Sequence, residues 1–168
     1  MSVTLRCSQR LPGVCRTLVA LACVTLLADS SRAQAQSQKY DVSVLAIRAT
    51  KANSDVSPEL KPIADQLKKQ FKYTGFKLER KQTDEVDQGK ELSVTLLAGY
   101  KAKVTPIERK DGKIALTVEI TRQEDKKEKR LLRTTVKINS GKYYLQGGSG
   151  WKLDSKTDDV LIVAISAR

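Results

Sequence analysis

Apolar side chains recur along this chain with two different periods, and the change of period divides it. Residues 40–50, YDVSVLAIRAT, are apolar or β-branched at most positions, the pattern of a strand at least partly covered on both faces. In NSDVSPELKPIADQLKKQFK, residues 53–72, Leu60, Ile63, Ala64, Leu67 and Phe71 fall on one stripe at helical spacing. Lys68, Lys69 and Lys72 gather in its last turn, where cations complement the helix dipole. Ser57 and Pro58 supply a candidate cap and first position. Pro62 removes one early backbone bond, which predicts that the regular helix begins nearer Lys61.

After Gly75 the period drops to two. FKLERKQ alternates Phe76, Leu78 and Arg80 against Lys77, Glu79 and Lys81, as an edge strand with one wet face does. TDEVDQGK, residues 83–90, reads as a polar connection. ELSVTLLAGY then alternates Leu92, Val94, Leu96 and Ala98. KAKVTPIER leads through Asp111-Gly112, a strong hairpin signal, into KIALTVEITR, with Ile114, Leu116, Val118 and Ile120 toward the core. QEDKKEKR, residues 123–130, reads as a solvated hairpin loop. Strands follow at LLRTTVKIN, at KYYLQ after the turn NSGK, and at DVLIVAISA. The last run is apolar on both faces, which places it in the middle of a sheet or between packed layers. The expected fold class is α+β: about seven to eight strands in a mostly antiparallel sheet or sandwich, with one amphipathic helix against a face.

The first 35 residues stand apart. Arg6, Arg10 and Arg16 precede the apolar run TLVALACVTLLA, which is too short to span a bilayer, and Ala33-Gln34-Ala35 offers the small residues of a signal-peptidase site. We therefore expect a signal peptide over residues 1–35 and a single β-rich domain over 36–168. The expected location is exported: periplasmic, outer-membrane associated or secreted. Cys7, Cys15 and Cys23 all lie in the leader, and the chain has no histidine. Beyond residue 35 the commonest general base, the soft metal ligands and every disulfide are therefore missing together. Removing four arginines and one aspartate with the leader takes the balance from 31 basic against 19 acidic residues to 27 against 18, a net charge of +9. Such an excess favours association with polyanions or anionic lipid, or simply a solvated basic surface.

No catalytic constellation, metal site or cofactor is expected. Asp84, Glu85 and Asp87 lack the glycine-centred frame of a calcium loop. QGGSGW, residues 146–151, matches neither a nucleophile elbow nor a phosphate loop, and reads as a flexible or tightly turned segment. Alternation sends Tyr143 and Tyr144 to opposite faces. Lys142, Tyr144, Trp151 and Lys152 form the candidate interaction surface, an aromatic pair beside lysines.

From residue 91 the order of strands and turns resembles the β-domain of bacterial secretins, the outer-membrane pore subunits of type II secretion and type IV pili. The matching residues are Val104-Thr105-Pro106, Asp111-Gly112, Thr134-Thr135-Val136, Gly141, Gly147-Gly148 and the run Leu161 to Ile165. The resemblance implies the same succession of hairpins. Where secretins carry an apolar gate segment this chain has only SGWKLDSKTD, residues 149–158, and the periplasmic modules that precede the secretin core are missing. What the resemblance implies is therefore a reduced module without a pore. The expected function is that of a non-catalytic envelope protein acting on an envelope or secretion-system protein, or on itself. The alternative is a binder of anionic polymer or lipid. No small-molecule substrate is evident.

The leader reading makes a direct prediction. Mass spectrometry of the exported protein should find the new amino terminus at Gln36; a terminus at Met1 or Ser2 on the exported form would refute it.

Overall fold

A computed structural model describes residues 38–124 and 127–168; the expected leader, with Ala33 and Ala35, lies outside the described residues. The elements are β1 (Lys39–Thr50), a 3-10 turn Pro58–Ile63 running into α1 (Ala64–Gln70), β2 (Gly75–Asp87), β3 (Leu92–Thr95), β4 (Tyr100–Lys110), β5 (Lys113–Glu124), β6 (Lys127–Asn139), β7 (Tyr143–Lys152) and β8 (Val160–Ala167). They form two four-stranded sheets in the orders β2-β1-β8-β7 and β3-β4-β5-β6. Every pairing within them is antiparallel. The fold is the expected α+β class, realised as a sandwich with one short helical segment on the outer face of the first sheet.

The two centrally placed strands, β1 and β8, are buried on both faces. On one face Val42, Val44 and Ala46 of β1 and Leu161, Val163 and Ile165 of β8 meet Val104, Leu116, Val118 and Ile120 of the second sheet. On the other, Leu45, Ile47 and Ala49 with Ile162 and Ala164 meet Leu60, Ile63 and Leu67 of the helical segment. All eight residues of β8 are buried. Each fully buried Leu or Ile is worth about 1.5–3 kcal/mol, so these two strands anchor both cores at once.

Where the structure departs from simple alternation, a bulge or a turn is responsible. In β2, Ala46 pairs with Arg80 and Ile47 with Leu78, leaving Glu79 as an extra residue. The bulge reverses the alternation. Phe76 and Leu78 face the helix, but Arg80, opposite Ala46, turns to the other face, contrary to the expectation that groups all three. Beyond it TDEVD is strand rather than connection, paired with β1 as far as Lys39↔Asp87, with Val86 buried in the inter-sheet core. The register with β1 holds these polar residues extended. Ala98, which the alternation groups with Leu92, Val94 and Leu96, is instead exposed in a tight turn with φ 49, followed by Gly99 at φ 77.

The helical segment buries the expected stripe, Leu60, Ile63 and Leu67, while Phe71 is half-buried. Regular α geometry starts at Ala64, three residues later than expected, because Pro62 sits in the 3-10 turn. Ser57 makes no side-chain cap. Its Oγ accepts the Leu78 N–H of β2 at 2.9 Å instead. The turn Asn139–Lys142 closes with Lys142 N–H donating to Asn139 O at 3.0 Å. It carries the chain from β6 in one sheet to β7 in the other, so TTVKINSGKYYLQ is a crossing between layers rather than a hairpin. Among the described residues no helix is long and apolar enough to cross a membrane.

The glycine pair lies inside β7. Gly147 has φ 147, and a Cβ there would lie 2.4 Å from the Leu161 carbonyl oxygen, so only glycine lets β7 close on β8. Gly148, at φ 121, faces open space. Beyond it Gly148–Trp151 bulges out before pairing resumes at Lys152↔Val160. Gly147→Ala should therefore lower unfolding stability in urea by about 2–4 kcal/mol and Gly148→Ala by about 1–2 kcal/mol. Equal losses at the two positions would contradict this account.

Candidate functional site

A sandwich of two open sheets has four edges, and unpaired edge backbone invites another strand. The chain's own groups bond to three of these edges, in the case of β2 only at its start. At the start of β2, Phe76 N–H donates to Asp55 O at 2.7 Å and Ser57 N–H donates to Phe76 O at 2.9 Å, a short parallel bridge. Along β7, Gln66 and Gln70, one turn apart on α1, donate their side-chain amides to the carbonyls of Tyr143 and Leu145 at 3.3 and 3.4 Å. At the third edge, β3 is only four residues long and its Thr95 carbonyl accepts Arg80 Nη1 at 2.6 Å. Where β4 runs past β3, Gly89 N–H donates to Pro106 O at 2.7 Å.

The fourth edge is different. β6 ends its sheet as a strand of 13 residues. Among the described residues, no group outside β5 hydrogen-bonds its backbone between Lys127 and Ile138. Its sequence, KEKRLLRTTVKIN, carries five basic residues and one acidic one. Register assigns their directions. Leu132 and Val136 lie opposite Ile120 and Leu116 and pack on the inter-sheet core, where they stay half-buried. Arg133, Thr135 and Lys137 lie opposite Glu119, Thr117 and Ala115 and face outward, all exposed.

Among the described residues no element covers the outward face of this sheet, unlike the helix-bearing sheet. Its rows run Lys101–Thr121–Arg130, Lys103–Glu119–Arg133 and Thr105–Thr117–Thr135. Glu119 stands 3.9 and 3.7 Å from Arg130 and Arg133, exposed ion pairs worth at most about 1 kcal/mol each. Thr121 donates its hydroxyl to Glu128 at 2.6 Å. That hydrogen bond, with Lys103 and Lys101 nearby, holds the Glu128 carboxyl below the usual range. The face is thus basic with two acids set into it.

The aromatic residues singled out by sequence are mostly structural. Tyr143 packs on the helix side and Tyr144 on the inter-sheet side, both half-buried. Tyr144 donates to Gln146 Oε1 at 2.9 Å, and burial pushes its hydroxyl pKa up. Trp151 packs on the inter-sheet core with its ring 6.2 Å from that of Tyr100, whose hydroxyl donates to the Lys152 carbonyl at 3.2 Å. These contacts tie the bulged end of β7 to the second sheet. Lys142 and Lys152 are exposed, Lys142 in the turn and Lys152 with its Nζ 3.7 Å from Asp158.

Two grooves flank the helix-bearing sheet. The larger, about 860 Å³, holds Arg48, whose Nε lies 2.9 Å from Glu79 and Nη1 3.3 Å from Asp159. Its charge is answered within the chain. The smaller, about 490 Å³, lies beside Gly147 and Gly148, where Lys51 stands 5.7 Å over the Tyr73 ring. Asp84, Glu85 and Asp87, weighed for calcium, sit in β2. Asp84 takes the Gln82 side-chain amide at 2.7 Å and Glu85 pairs with Lys39 at 2.6 Å. Among the described residues no group of three or more His, Cys, Asp or Glu side chains is placed to hold a metal ion.

No protein-family model matches the chain, and comparison with curated proteins and with solved structures finds no match.

The role given to Gln66 and Gln70 is testable. Replacing both by Leu should cost about 1–2 kcal/mol in urea unfolding, since each net hydrogen bond is small. Light scattering should nonetheless show self-association that the parent lacks, through the uncovered β7 edge. A double variant that stays as monodisperse as the parent would show that the glutamines do not guard it.

Proposed function

We propose that this chain is a non-catalytic, exported module of a bacterial envelope, a reduced secretin-like β domain that works by binding another protein. The observation that carries this reading is the unequal treatment of the sheet edges. β7 and β3 receive bonds from the chain's own groups, and β2 does at its start, while among the described residues the 13-residue β6 receives none from outside its sheet between Lys127 and Ile138. An edge left open among guarded ones is the feature that strand-adding partners use. The histidine-free, cysteine-poor composition supports a binding role over a chemical one.

A second reading, binding of anionic polymer or lipid, is favoured by one observation: Lys101, Lys103, Arg130 and Arg133 share the uncovered face of β4–β6. Glu119 and Glu128 within that face weaken it, and no aromatic side chain stands among the rows to stack on bases.

A photo-crosslinking amino acid placed at Thr135 on β6 should give a discrete adduct with another envelope protein in the producing cells. The same group at exposed Lys81 on β2 should give none. Adducts from both sites, or from neither, would refute a partner site on β6. For the second reading, heparin affinity falling steeply with salt is the expected sign, since counterion release governs such binding.

A further inference from the structure

The β6 edge offers more than free backbone, because its two faces differ in chemistry. Toward the core, Leu132 and Val136 are half-buried at the margin of the sandwich. Toward solvent, Arg133, Thr135 and Lys137 follow at every second position, with Arg130 beyond the bulge that separates Ile120↔Leu132 from Thr121↔Arg130. β7, which continues from β6 through the turn, carries no acidic residue, and Lys142 lies between them. Any strand added here meets an apolar margin on one side and a basic row on the other.

From this geometry we infer that β6 receives an extended acidic peptide segment, in which Glu or Asp alternates with apolar residues, as a fifth strand of its sheet. The inference rests on the protein-binding reading above and specifies its partner. Alternation in the added strand places its apolar residues beside Leu132 and Val136. Its carboxylates then stand beside Arg133 and Lys137, and opposite charges across neighbouring strands stabilise a pairing while like charges oppose it. The same rule disfavours a second copy of this chain as the occupant. Antiparallel pairing of β6 with another β6 sets one strand with five basic residues and one acidic residue against its equal. Glu119, 3.9 and 3.7 Å from Arg130 and Arg133, offsets part of this charge from the β5 side, away from the incoming strand, while among the described residues no carboxylate lies within 4 Å of Lys137.

The probe is a nine-residue peptide alternating Glu with Val or Thr, labelled for fluorescence anisotropy and titrated with the purified protein at low salt. Saturable binding is expected. It should weaken by about tenfold or more in the exposed double variant Arg133→Glu, Lys137→Glu, and further as salt rises. Replacing the peptide's Glu by Lys should abolish it. Peptides N-methylated at alternate amides, one set for each edge, separate backbone pairing from charge alone: one set should lose binding and the other keep it. Circular dichroism of the double variant checks that it folds; should it fail, the Lys peptide and the N-methylated pair carry the test on the parent. Absence of saturable binding, equal binding of both N-methylated sets, or binding of the Lys peptide would overturn the inference. An adduct from Thr135 together with no peptide binding removes strand addition by an acidic segment and leaves the protein-binding reading standing; failure of both removes both.

Discussion

The fold depends on two neighbouring strands that are buried on both faces. β1 and β8 pair over Val42–Ala49 and Val160–Ala167, and between them they supply the floor of the helix-side core and one wall of the inter-sheet core. A strand in that position has no wet face to spend polar residues on, which is why β8 reads as a continuous apolar run. With no cysteine beyond residue 35, the described domain has no disulfide, and cohesion rests on side-chain burial and strand pairing. The Gly147 contact belongs to the same constraint: β7 can lie against β8 only where no Cβ intervenes.

Everything attached to this pair is adjusted to it. β2 needs apolar residues toward the helix at one end and toward the second sheet at the other, and the bulge at Glu79 makes the switch. The helical segment is short, Pro58–Gln70, yet it does two things. It covers the outer face of the first sheet with Leu60, Ile63 and Leu67, and it reaches the β7 edge with Gln66 and Gln70. Among the described residues the second sheet has no such cover. Its outward rows of Lys, Arg and Thr and its open β6 edge are where a partner can add contacts without displacing any of the chain's own. A bare edge is also an aggregation hazard, and basic side chains along it discourage self-pairing. The row of charge that protects β6 from its own kind is thus the one that selects an acidic strand.

The sequence made the class, the helix stripe, the Asp111-Gly112 hairpin and the two-faced burial of β1 and β8 legible, because each is written in local periodicity or turn chemistry. Tyr143 and Tyr144 were separable to opposite faces for the same reason. The site was less legible. Lys142, Tyr144, Trp151 and Lys152 stand near one another along the chain, yet Tyr144 and Trp151 pack on the core and Lys152 pairs with Asp158. Gln66 and Gln70 gave no signal as edge guards, since their partners lie 77 and 75 residues away. The alternation of Arg133, Thr135 and Lys137 was present in the sequence, but nothing local marked that strand as the unguarded edge.

Which residues prefer burial, at what period, and where a glycine turn is possible are properties of neighbouring side chains and the local backbone, and the order of residues suffices to specify them. The tertiary structure alone decided which strands sit inside and which at the margin. It alone sent β6 and β7 to different sheets, reversed the faces of β2 at one extra residue, and left β6, among the described residues, with no backbone partner outside its sheet between Lys127 and Ile138. Edge and centre are relations between segments distant in the chain, set by long-range hydrogen-bond register and by how two layers share one core, and no local pattern encodes them.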